Sequence, residues 1–203
     1  MPSSPPVCAG SKPMSRRFVL IDRDGTLNVE KHYLSDPDQL ELYPGAGEAV
    51  RRLNQLGLGV VVVTNQSGIA RGYFDLDRLA AIHRRLGELL ALDGAHIDGL
   101  YVCPHGPDEE CTCRKPRPGM ILQAVADHRF DPAQAFVVGD KEVDVELGHG
   151  VGAVSFLVRT GHGAKAVATT RADYIVDDLA AAVDEIERLV GEVSPRGLLP
   201  VSH

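Results

Sequence analysis

No run in the 203-residue sequence approaches the roughly 18 consecutive apolar residues that a membrane-spanning helix requires, so no membrane association is expected. Basic blocks are missing as well. Lys and Arg number 21 against 28 Asp and Glu, giving a net charge of -7, and aromatic residues make up only 5%. With no aromatic-rich basic stripe to overcome that field, a nucleic-acid backbone is a poor partner and a small molecule a better one. The first seventeen residues, MPSSPPVCAGSKPMSRR, lack the continuous apolar segment of an export signal, with prolines standing where it would lie. A cytoplasmic location follows as the expectation. Residues 1–16 and 191–203 read as disordered or flexible tails around a single domain spanning 17–190. No spare apolar helix face stands out, and a monomer is expected. Cysteine is scarce too: four in a chain without an export signal do not make a disulfide framework, because a reducing compartment keeps thiols free.

What the sequence does contain is a regular alternation. RFVLID (17–22) and LGVVVVTN (58–65) are short apolar runs suited to strands buried on both faces of a parallel sheet. Between them Ala46, Ala49, Val50, Leu53 and Leu56 recur at helical spacing, with Gly57 placed to end the helix. Leu79, Ile82, Leu86, Leu89 and Leu90 mark a second helix opened by Asp75, and IDGLYVC (97–103) a third strand. A helix from Pro118 to about His128, strands at 135–140 and 153–158, a short helix in KEVDVELGHG, a weaker strand at 173–176 and a helix at 178–190 complete the pattern. This predicts an α/β fold, a doubly wound, mostly parallel Rossmann-like sheet. Too few residues separate the strands for a large cap domain. Ligands of such sheets bind beyond the carboxyl ends of the strands, where Asp22, Asp24, Thr64, Asn65, Cys103 and Asp140 stand.

In DRDGT (22–26) two carboxylates flank one residue at the end of a buried strand. Taken alone, such a pair also suits a solvated turn. A third strand-end acid, Asp140, changes the balance, because converging carboxylates repel unless a cation joins them, and a hard oxygen-liganded ion such as Mg²⁺ answers that need. An ionised aspartate can attack phosphorus, provided that the charge spreading over the phosphoryl oxygens is held by the metal, a lysine and neutral donors. Thr64 and Lys115 are the candidates for hydroxyl and ammonium.

The ordered set D-x-D-G-T, T-N-Q, K-P and G-D-x-x-x-D resembles the haloacid dehalogenase (HAD) superfamily of phosphatases. That resemblance implies Asp22 as nucleophile and Asp24 as general acid and base. It also implies Thr64 and Lys115 on the phosphoryl group, and Mg²⁺ on Asp22, the Asp24 main-chain carbonyl and Asp140, with Asp144 supporting the site or orienting Lys141. Taken together, DRDGTLN, VTNQSGIARGYF, CPH...CTCRKPRPGM and GDKEVD are similar to the heptose bisphosphate phosphatase family, over roughly residues 18 to 162. The similarity implies a phosphosugar substrate, removal of its 7-phosphate and a place in making activated heptose for lipopolysaccharide or surface-layer sugars. Substrate contacts are implied from Arg23, Glu30, Lys31, His32, Tyr33, Asn65, Gln66, Ser67, Arg114 and Lys141. Arg114 suits a second phosphate because its planar fork binds oxyanions bidentately, although it would equally suit a surface pair with Asp108 or Glu109. One departure is a short loop, with five residues between His105 and Cys111, which resembles the histidinol-phosphate phosphatase branch instead.

Cys103-x-His105 and Cys111-x-Cys113 supply three thiolates and an imidazole, the donor set of a closed tetrahedral structural Zn²⁺ site, with a redox pair, another metal or chance clustering as the alternatives. Lys115 lies two residues beyond the last of these donors, so a metal knuckle would serve as a rigid rim fixing Arg114 and Lys115. A different class of function, a non-catalytic zinc-binding module of the same fold, would have no need to keep like charges together. His83, His96, His128, His149 and His162 lack partners at ligand spacing and read as surface or helix-end residues.

Overall fold

The computed structural model describes residues 16–193, so most of both expected tails lies outside the described residues. Six strands, β1 (Phe18–Ile21), β2 (Gly59–Asn65), β3 (Gly99–Cys103), β4 (Phe136–Gly139), β5 (Val154–Val158) and β6 (Tyr174–Val176), form one all-parallel sheet in the order β3-β2-β1-β4-β5-β6. Helices α1 (Ala46–Gln55), α2 (Leu76–Leu92), α3 (Gly119–His128), α4 (Glu142–Gly150), the one-turn α5 (Gly163–Ala166) and α6 (Leu179–Val193) connect and follow them.

Alternate side chains along each central strand feed two cores. Val19, Ile21, Val60, Val62, Val138 and Phe156 pack against α1, α2 and α6. Phe18, Leu20, Val61, Val63 and Val137 pack on the opposite face with Met120, Ile121 and Ala124 of α3 and Leu147 of α4. The expected punctuation is present. Asp75 caps α2 by accepting from the Arg78 N–H at 2.8 Å, and Gly57 takes the left-handed conformation (φ 74°) that lets the chain leave α1 for β2.

Several boundaries differ from the sequence expectation by a residue or more, and three of them are informative. β3 starts at Gly99 because Asp98 does a different job: its carboxylate accepts from the Val60 N–H (2.8 Å) and from Arg16 (2.7 Å). Arg16 is therefore tied to the domain, also through the carbonyls of Gly57 and Leu58, and does not belong to a tail. At the other end α6 continues through Val193, so residues 191–193 are helical. No described helix is long and apolar enough to cross a membrane.

The strand order reverses between β1 and β4. Pairing of Ile21 with Val62 and Val138, and of Asn65 with Cys103, sets the polar residues after β1, β2, β3 and β4 along one carboxyl edge. That crevice is where sheets of this type bind ligands. Because α2 is held by its buried face, Ile82→Ala at a fully buried position is expected to cost about 2–5 kcal/mol of stability in urea unfolding. Leu92→Ala, at a position 81% exposed, should stay within about 0.5 kcal/mol. Equal losses at both positions would contradict this core assignment.

Candidate active site

A cleft of about 410 Å³ opens at the switch point, and its walls come from six separate segments. Asp22 and Asp24 enter after β1, Glu30, His32 and Tyr33 from the following loop, and Thr64 to Ser67 from the end of β2. Arg114 and Lys115 follow the cysteine loop, and Lys141 and His162 follow β4 and β5.

The centre is a group of buried charges. Lys115 is almost wholly buried, and its ammonium lies 2.7 Å from Asp22 Oδ1 and 2.6 Å from Asp144 Oδ1 while donating to the Val63 carbonyl at 2.9 Å. Burial alone would lower the lysine's pKa, but the two carboxylates override it and hold the ammonium above its usual value. The Arg23 N–H also donates to Asp22 Oδ1 (2.8 Å); among the described residues no hydrogen bond reaches Oδ2. Asp144 caps α4 by accepting from the Lys141 N–H at 3.1 Å. It therefore does more than orient Lys141: it is the second counter-ion of Lys115.

Asp140 is fully buried and accepts from the His162 N–H (2.8 Å) through Oδ2, while its Oδ1 accepts no hydrogen bond and has only the Lys141 ammonium 3.7 Å away. Burial and the Asp22 charge push its carboxyl up to about 7. Carboxylate oxygens of Asp22, Asp140 and Asp144 lie within 4.8 Å of one another. A Cβ at Gly25 (φ 91°) or at Gly161 (φ 55°) would fall 2.2 Å from Asp140 Oδ2, so glycine at both positions keeps the pocket around this carboxylate open. An orphaned buried oxygen beside crowded carboxylates fits a hard divalent cation.

Asp24 accepts four hydrogen bonds: from Arg23 Nε (3.2 Å) and Nη2 (2.7 Å), from Asn28 Nδ2 (3.0 Å) and from Gln66 Nε2 (2.8 Å). Burial works against its charge, yet the Arg23 charge and these bonds hold its carboxyl below the usual range. The Gln66 amide also reaches Thr64 Oγ1 at 2.8 Å.

Two of the sequence-derived contacts do not reach the cleft. Arg23 is 0% exposed and turns away from it, onto Asp24 and His83. Lys31 lies outside the cleft lining and pairs with Glu41. Conversely, two histidines read as bland are placed otherwise: His83 is partly buried against Arg23, and His162 lines the cleft with its ring 3.6 Å from Glu30. Glu30 also meets Lys141 at 3.3 Å. The strand-end rule that singles out Asp140 would have found His162, had it been applied to RTGH after β5.

Cys103, His105, Cys111 and Cys113 converge, with no disulfide. The Cys103–Cys111 sulfur separation of 3.8 Å matches the edge of about 3.8 Å of a tetrahedron built with Zn–S bonds of about 2.3 Å. The donor set and spacing therefore fit zinc. Arg114 is held by this loop and not by Asp108 or Glu109: its N–H points to the Cys111 sulfur (3.4 Å) and Nη1 donates to the His105 carbonyl (3.2 Å). Asn65 links the neighbouring strand end to the lysine, accepting from the Lys115 N–H (3.1 Å) and donating to its carbonyl (3.4 Å).

A family model described as HAD-hyrolase-like matches residues 112–182. The chain is 42% identical over 176 residues to the D-glycero-beta-D-manno-heptose-1,7-bisphosphate 7-phosphatase of Pseudomonas aeruginosa, covering 85% of this chain and 99% of that protein. Its identity to the enzyme of the same name from Haemophilus influenzae is 38%, covering 85% and 98%. Among solved structures, D,D-heptose 1,7-bisphosphate phosphatase from B. bronchiseptica complexed with magnesium and phosphate superposes with a TM-score of 0.81 at 37% identity, covering 85% of this chain and 99% of that one. On these matches, the chain belongs to the heptose bisphosphate phosphatase family of HAD-like hydrolases.

Proposed function

We propose that this protein is a Mg²⁺-dependent phosphomonoesterase that removes the 7-phosphate of D-glycero-D-manno-heptose 1,7-bisphosphate through an aspartyl-phosphate on Asp22. The observation that carries the mechanism is the Lys115 ammonium set between Asp22 and Asp144 at the floor of the cleft. It places fixed positive charge beside the carboxylate that must approach a dianionic phosphoryl group. The substrate rests on the named activity of the relatives, which span nearly their whole length in this chain.

In the first step Asp22 bonds to phosphorus and the bond from phosphorus to the C7 oxygen breaks, Asp24 in its acid form giving that oxygen a proton. In the second, Asp24 takes a proton from water, whose oxygen bonds to phosphorus, so that inorganic phosphate leaves and the Asp22 carboxylate is restored. Thr64 and Lys115 hold the phosphoryl oxygens. Asp22, the Asp24 main-chain carbonyl and Asp140 would hold Mg²⁺, which when bound offsets the charge of carboxylate and phosphate together. The four donors on Asp24 favour the ionised state that the second step uses. Gln66, shared between Asp24 and Thr64, is the donor that an entering phosphoryl group would draw away, easing protonation for the first. Arg114 and Lys141 suit the far phosphate, with Asn65, Ser67 and the 30–33 loop shaping the rest of the pocket.

The cysteine loop then braces the site. Cys103, His105, Cys111 and Cys113 would hold Zn²⁺, which when bound would organise the segment that carries Arg114 and Lys115 and, with every position filled by protein, would leave no place for a reactive water.

Asp22→Asn is expected to lose about 10⁴-fold or more in phosphate release while keeping its circular dichroism; a variant that still turns over would exclude Asp22 as nucleophile. Cys111→Ser should lose zinc by elemental analysis and fall in kcat with most of the fold surviving. Unchanged turnover in a verified zinc-free protein would refute the bracing role. Purified enzyme with Mg²⁺ should release phosphate faster from a heptose 1,7-bisphosphate anomer than from histidinol phosphate, and the reverse preference would overturn the substrate while leaving the mechanism standing.

A further inference from the structure

Behind Asp24, away from the cleft, lies a polar chain that the chemistry described so far does not use. Arg23 is the largest fully buried side chain in the described protein. Its fork grips Asp24 through Nε and Nη2, and its third arm, Nη1, lies 3.1 Å from His83 Nε2 in the middle of α2. A guanidinium only donates, so His83 Nε2 must be the acceptor, which assigns the ring proton to Nδ1. Burial and the neighbouring Arg23 charge favour that neutral ring, pushing its pKa down to about 4.

We propose that His83 is a positioning residue for Asp24: it anchors Arg23 Nη1 and so keeps the guanidinium fork seated on the carboxylate that faces the cleft. Two features make this more than core filling. The Arg23 side chain is fully buried, so the guanidinium reaches the reacting groups only through Asp24, separately from the backbone N–H that Arg23 gives to Asp22. Asp24, in turn, sits in the middle of a continuous set of hydrogen bonds, from His83 through Arg23 and Asp24 to Gln66 and Thr64, that joins α2 to the reacting groups. Without an acceptor at His83 a buried donor is left unpaired, and the arginine's cheapest remedy is to rotate toward water in the cleft, taking the Asp24 carboxylate with it.

The inference rests on the phosphatase reading, and its test separates the two. For His83→Leu, kcat/KM should fall about 10- to 100-fold on heptose 1,7-bisphosphate, whose alkoxide leaving group needs the Asp24 proton. On p-nitrophenyl phosphate, whose phenolate leaves without one, it should fall less than about threefold. His83→Gln, which sets an amide oxygen near the Nε2 position, should recover most of the loss. If His83→Leu does not fold, His83→Asn, whose shorter amide cannot span to Nη1, takes its place with the same expected pattern. Equal losses on both substrates, no loss at all, or failure of His83→Gln to rescue would overturn the role of His83. A native protein without phosphomonoesterase activity would overturn the phosphatase reading, and this inference with it.

Discussion

Three carboxylates whose oxygens lie within 4.8 Å of one another, all buried, cannot coexist as anions without help. At 4 Å, two unit charges repel by about 4 kcal/mol even at an effective dielectric constant of 20. Lys115 pairs directly with both Asp22 and Asp144 and offsets one of their two charges, and the Asp140 oxygen that accepts no hydrogen bond marks where a divalent cation would complete the balance beside Lys141. Much of the surrounding structure follows from delivering that one ammonium to that one place. A buried pair of this kind is costly unless every partner is held in position, and removing one member leaves an uncompensated charge.

The delivery is made by parts that do not themselves react. Pairing of Asn65 with Cys103 puts the base of the cysteine loop beside the end of β2, and Asn65 then takes both backbone groups of Lys115. The loop holds Arg114 through the His105 carbonyl on the same side. An ion on the four converging donors would suit this, because such a site leaves little freedom to a segment that has no strand or helix of its own. On the other wall, Asp144 ties the start of α4 to the lysine, so strand ends β1, β2 and β4 meet at one charge.

Arg23 illustrates how neighbours in sequence can serve opposite sides of a structure. It lies between two aspartates that line the cleft, and motif resemblance assigns it to the substrate with them. The chain turns it inward, where α2 supplies His83. Lys31 is a milder case: exposed on its loop, it finds Glu41 before it finds the cleft. In both cases the deciding partner is distant or unremarkable in sequence, and spacing within a motif carries no information about it.

The parallel strands, the helices between them and the strand-end chemistry were legible in the sequence, since valine-rich runs, helical periodicity, Asp75 and Gly57 act locally. The meeting of Asp22 and Asp24 with Thr64 and Lys115 in one cleft was legible too, because their motifs stand in order at the strand ends of one sheet edge. The convergence of Cys103, His105, Cys111 and Cys113 could likewise be read from spacing alone. Only the tertiary structure decided that Lys115 is shared between Asp22 and Asp144, that Asn65 holds the lysine backbone, that His162 joins the cleft and that Arg23 leaves it. Those assignments depend on which charge or donor lies within about 3 Å after packing, a distance set by strand register and helix placement and not by position along the chain.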